Sequence, residues 1–154
     1  MRRAAMVAAV FAVGLGIGAG VGGSLVKAAP ARRYINLPGR AVAAPFSDAV
    51  LAGDTLYLAG RIGFVPGTRQ IPATAEEEAR NVLDQFKTVL AEAGMTMDDL
   101  VSVQVFCSDV KLFDTWNKVY PAYFGKELPA RAFLGSGPLL FGARFEMQGV
   151  AVKR

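Results

Sequence analysis

The chain has 154 residues, 53% of them hydrophobic and 19% charged, with a formal charge of +4. That composition suits one ordinary folded domain and excludes a disordered chain. Histidine is absent and Cys107 is the only cysteine, so histidine-based triads, imidazole metal sites, intrachain disulfides and CxxC pairs are all excluded.

Met1-Arg2-Arg3 opens the chain, and 23 uncharged residues follow from Ala4 to Val26. Lys27 and the small residues Ala28-Ala29-Pro30-Ala31 come next. A basic start, an apolar stretch and an A-x-A-like site point to a secretory signal peptide over 1–31. The stretch is also long enough to span a bilayer, so an uncleaved N-terminal anchor is the alternative. Either way residues 32–154 are expected to be exported, periplasmic or facing the periplasm, and to meet a membrane only through this segment. Three of the 17 basic residues and none of the 13 acids fall in the leader, which leaves the domain nearly neutral. No basic stripe interleaved with aromatics follows, so nucleic acid is not expected as a partner. The leader also contains Gly18-Ala19-Gly20-Val21-Gly22-Gly23, a G-x-G-x-x-G pattern without the following helix and ribose-binding acid of a dinucleotide site.

Arg33–Leu37 alternates and ends at Pro38-Gly39, a short strand and a turn. Asp48–Ala52 and Thr55–Gly60 flank Gly53-Asp54 and form a hairpin. Thr74 caps a helix whose first turn holds Glu76, Glu77 and Glu78, which read as solvated capping charge. Ala79, Val82, Leu83, Phe86, Val89, Leu90 and Ala93 make its apolar face, and Gly94 ends it. Asp99–Phe106 is a strand with Val101, Val103 and Val105 on one face. A second helix covers Leu112–Phe124, and strands close the chain at Arg131–Gly135 and Arg144–Val152. The order is β-β-β-α-β-α-β-β. It predicts an α+β fold, with two helices on one face of a mixed sheet and a second sheet face, carrying Val, Leu and Phe, that association would cover.

Arg131 opens a strand otherwise made of Ala, Phe, Leu and Gly. A guanidinium there needs a partner, either a structural acid or a bound carboxylate. Glu146 sits in a strand of similar character, as an arginine's partner or as a group holding a proton or a water. Cys107, with no histidine to deprotonate it, reads as a small apolar residue.

Ala44-Pro45-Phe46-Ser47-Asp48-Ala49-Val50, Gly53-Asp54 and Leu58-Ala59-Gly60-Arg61-Ile62 together resemble the N-terminal signature of the Rid (YjgF-like) family. Phe113-Asp114-Thr115-Trp116-Asn117-Lys118-Val119-Tyr120, then Pro129-Ala130-Arg131, and Glu146 fifteen positions after Arg131 continue the resemblance. It implies a chorismate-mutase-like fold and a homotrimer whose sheets form a barrel, with ligand clefts between subunits. It implies hydrolysis of small 2-imino or enamine acids to 2-keto acids and ammonia, without metal or cofactor. Arg131 and Glu146 would be catalytic, the arginine clamping the carboxylate and the glutamate holding the attacking water. Phe46, Gly60, Asn117 and Phe133 would line the cleft, Gly60 and Phe133 through their backbones. The chain departs from the pattern at Phe46 (usually Tyr), Ala59 (Ser), Arg61 (Gln) and Phe133 (Cys). The missing hydroxyls motivate the alternative of a non-catalytic periplasmic binder of small carboxylate or carbonyl metabolites.

Overall fold

The structure, a computed structural model, describes residues 31–38 and 44–154. Apart from Ala31, the expected leader, with its glycine pattern, lies outside the described residues. Six strands and two helices follow the expected order. They are β1 (Arg32–Ile35), β2 (Ala49–Ala52), β3 (Thr55–Ile62), α1 (Ala75–Glu92), β4 (Leu100–Cys107), α2 (Phe113–Val119), β5 (Ala130–Gly135) and β6 (Phe145–Val152). The sheet order is β1-β2-β3-β6-β4-β5.

Connection geometry explains why both helices share one face. β3 and β4 each pair antiparallel with β6, so they run parallel to one another, and β4 pairs parallel with β5. The β3-α1-β4 and β4-α2-β5 crossovers step in the same direction across the sheet. Right-handed crossovers then put both helices on the same side. The core fills the space between: Val82, Leu83, Phe86, Val89 and Leu90 of α1 and Trp116 and Val119 of α2 pack with Leu56, Val103, Val105, Phe145 and Met147 of the sheet. Every apolar residue expected to line α1 is buried. Thr74 Oγ1 accepts from the Glu77 backbone N–H at 3.2 Å, as its cap position requires. Between β2 and β3, Ala52 pairs with Thr55 across a two-residue turn in which Gly53 adopts φ 61°, the left-handed conformation such turns demand.

Three local expectations need correction. The second helix is α-helical only over Phe113–Val119; from Tyr120 the chain tightens into a 3-10 turn through Pro121, which lacks the N–H an α-helix would use. Val101 does not share a face with Val103 and Val105, because the β4–β6 register shifts between Leu100 and Ser102; Leu100 turns inward and Val101 outward. Glu78 is not solvated. It is fully buried, and its Oε1 accepts the backbone N–H groups of Arg144 and Phe145 at 2.7 and 3.0 Å. Its Oε2 pairs with Arg144 Nη1 at 2.8 Å. The same guanidinium donates to the carbonyls of Pro72 and Ala73, so one arginine joins the start of β6 to the entrance of α1.

The sheet face away from the helices is mixed in character. Tyr57, Val150 and Ser102 lie in one row, a Gln104–Gln148 hydrogen bond of 2.6 Å in the next, and Glu146, Phe106 and Leu134 beyond it. Tyr57 is 55% exposed and Leu134 41%. Tyr57, Ser102, Gln104, Gln148 and Val150 line a shallow depression there.

Candidate functional site

Arg131 lies on β5, an edge strand, and its register sets where its side chain goes. Arg131 pairs beside Val103 and Phe133 beside Val105, which places both on the helix-covered face. On α2, Phe113, Asn117 and Tyr120 recur at i, i+4 and i+7, so they present one face toward it. The guanidinium carbon stands 4.7 Å from the centroid of the Tyr120 ring, 5.8 Å from Phe113 and 6.0 Å from Phe133. Arg131 Nη2 donates to Asn117 Oδ1 at 2.8 Å. Among the described residues no carboxylate pairs with Arg131. A half-buried cation is therefore walled by three rings and steadied by one neutral amide. Its remaining in-plane donors are those a carboxylate engages in parallel pairs.

The rings around this cation are packed onto the core. Trp116 is fully buried, its ring 5.1 Å from Phe145 and 6.4 Å from Phe133. Tyr120 is 2% exposed, and its hydroxyl has no hydrogen-bond partner among the described residues. Burial pushes its phenol up to about 12, while the Arg131 charge opposes that rise.

Glu146 belongs to the opposite side of the sheet. Phe145 and Met147 point into the core, so Glu146 between them faces outward, flanked by Ile62 of β3 and Phe106 of β4. Its carboxylate rests on Gly60: a Cβ added there would stand 2.1 Å from Glu146 Oε1. No hydrogen bond or ion pair ties Glu146 to another described residue.

Gly60 sits where the β3–β6 register shifts, between Leu58 and Arg61. That bulge is held by an ion pair the sequence reading missed. Asp48, fully buried, lies 2.8 Å from Arg61 Nη2. Its Oδ2 accepts from the Leu37 N–H at 2.6 Å, and its backbone bonds both Ile35 and Ala59. The segment bearing Phe46, itself 54% exposed, is thereby pinned to the strand that carries Gly60. The charge complement of Asp48 and Arg61 thirteen residues apart was the available signal.

Two groups therefore form within one chain. Arg131, Asn117 and Phe133 come together on the helix side; Glu146 and Gly60 come together on the open side, near the anchored Phe46 segment. The two groups do not converge. Phe113 and Tyr120 complete the arginine's surroundings, and their helical spacing with Asn117 was the signal for them. Cys107 belongs to neither group: it is buried beneath the sheet, donates to the Asp109 carbonyl at 3.0 Å, and burial raises its thiol. Among the described residues no three metal-ligating side chains cluster, and no helix is long and apolar enough to cross a membrane.

A family model described as Endoribonuclease L-PSP matches residues 38–153. The 2-iminobutanoate/2-iminopropanoate deaminase of Bos taurus is 36% identical over 110 residues, 71% of this chain and 80% of the relative. Protein MMF1, mitochondrial, of Saccharomyces cerevisiae is 33% identical over 112 residues, 73% of this chain and 77% of its own. Among solved structures, the YjgF gene product of E. coli superposes with a TM-score of 0.74 at 29% identity, covering 79% of this chain and 99% of that one.

Proposed function

Because the chain belongs to the Endoribonuclease L-PSP family, the Rid (YjgF-like) family, we propose that it is an exported deaminase of small 2-imino and enamine acids. Deaminases of 2-iminobutanoate and 2-iminopropanoate are among its relatives. The observation that carries the reading to this chain is Arg131, a half-buried guanidinium with aromatic walls and no carboxylate partner among the described residues.

The chemistry asks little of the protein. The C=N carbon of a 2-imino acid is already electrophilic, so orientation and one activated water suffice. Arg131 holds the carboxylate through paired N–H donors. Glu146 accepts a proton as a water oxygen bonds to the imine carbon, and the nitrogen gains a proton. The carbinolamine's C–N bond then breaks as the hydroxyl gives up its proton and the nitrogen takes one, Glu146 relaying it, so ammonia leaves and the 2-keto acid remains. No metal or organic cofactor enters the step. Phe46 and the backbones at Gly60 and Phe133 line the cleft, and Asn117 keeps the guanidinium turned toward the ligand.

A single subunit does not bring Arg131 and Glu146 to one small ligand, since they lie on opposite faces of the sheet. We therefore place the cleft between subunits of a homotrimer, Arg131 from one and Glu146 with Gly60 from its neighbour. The edge position of β5 and the uncovered outer face of β3, β6 and β4 support that arrangement. Export rests on the leader sequence, cleaved or retained as an anchor.

Ammonia release from freshly generated 2-iminobutanoate tests the reading. The full chain is expected to accelerate it, and Arg131→Ala and Glu146→Gln each to abolish the acceleration. A folded wild-type protein that leaves the spontaneous rate unchanged would overturn it.

A further inference from the structure

We propose that Phe113 and Phe133 determine which imino acids this site takes, and that they select those with an aromatic side chain. The inference rests on the deaminase reading and deepens it.

The two rings come from different elements, Phe113 from the start of α2 and Phe133 from the middle of β5. They meet edge to face, with centroids 5.1 Å apart and planes at 82°. Phe133 is half-buried against Trp116, whereas Phe113 is 43% exposed. The pair is thus braced from behind and presents apolar surface outward, surface the core does not use.

Position relative to the cation gives that surface its meaning. Two sides of the guanidinium are closed. Asn117 occupies Nη2 at 2.8 Å, and Tyr120, 2% exposed, covers the guanidinium at 4.7 Å. The exposed aromatic surface beside it belongs to Phe113, whose centroid is 5.8 Å from the guanidinium carbon. An acid clamped by its carboxylate therefore extends its side chain along Phe113, braced by Phe133. A methyl or ethyl group covers little of such a wall. A phenyl or indole ring covers it and adds a ring–ring contact, whose upper range corresponds to about tenfold in affinity.

The test compares 2-imino-3-phenylpropanoate with 2-iminobutanoate as substrates of the full chain. In parallel, calorimetry compares their stable keto products, phenylpyruvate and 2-oxobutanoate. Wild type is expected to favour the aromatic member about tenfold in kcat/KM and in affinity. Phe113→Ala, at an exposed position outside the buried core, is expected to remove most of that preference, read as the ratio of the two kcat/KM values and of the two affinities. Phe133→Leu keeps apolar volume against Trp116 and is expected to weaken the preference further. Equal or greater activity on the small acid, or a preference that survives Phe113→Ala in a folded protein, overturns the inference and leaves the deaminase reading standing. Absence of binding and turnover with both acids overturns the two together.

Discussion

Arg144 and Arg131 are the same residue under opposite terms. Arg144 meets a fully buried carboxylate, two carbonyls and, through Glu78, two strand amides. Arg131 meets three rings and one neutral amide oxygen. The first has its charge answered inside the chain and acts as a fastener between β6 and the start of α1. The second is left with donors to spare at the margin of the sheet. An arginine's role is thus read from what remains unanswered around it rather than from its burial.

Glu78→Ala should produce the largest effect, because it strands the buried side of Arg144 and two backbone amides together. A loss of about 3–5 kcal/mol is expected in urea unfolding; a loss below about 1 kcal/mol would mean the pair does not fasten the fold. Gly60→Ala tests the other side of the sheet. The new methyl must displace the Glu146 carboxylate, which is the movable end of a side chain. Imine hydrolysis should fall by more than about tenfold while unfolding free energy changes by less than about 1 kcal/mol. Arg131→Met goes to the centre of the contrast. Only ring contacts and one amide bond are lost, so stability should shift by under about 1 kcal/mol, while calorimetry with 2-keto acids should register no heat. A destabilisation as large as that of Glu78→Ala would erase the distinction between the two arginines.

Tyr120→Phe should have the smallest effect at neutral pH, since it deletes a buried hydroxyl with no hydrogen-bond partner among the described residues. Its signature is alkaline. The Tyr120 phenol is raised from 10.0 to about 12 in the fold, so the folded state holds that proton more tightly than the unfolded chain. The associated stability is full below pH 10 and is lost as pH rises toward 12. Denaturation midpoints measured across that window should decline less steeply in the variant. A residual slope should remain from Tyr123, which burial also pushes up to about 12.

The sequence was most readable where structure is local. The stripe from Ala79 to Ala93 follows helical spacing, and the Gly53-Asp54 turn follows from its own residue types, so both could be placed in advance. Glu78 could not, because its partner arrives 66 residues later. In the first turn of a helix it looked like another capping acid, although its i, i+4 relation to Val82 and then Phe86 placed it on the buried stripe. Pro121 shortened α2 for a local reason that the aromatic periodicity concealed. At the site, Arg131 and Glu146 stood out as charges in apolar strands. Their separation along the chain carried no information about facing. That depends on the registers Val103–Arg131 and Phe106–Glu146, which only strand pairing creates.

The position of Cys107 has a consequence of its own. The sole sulfhydryl of the chain lies under the sheet, donates to a backbone oxygen and is held protonated by its surroundings. Oxidants attack the ionised, accessible form. The folded domain therefore presents no accessible thiol through which two copies could be joined by a disulfide.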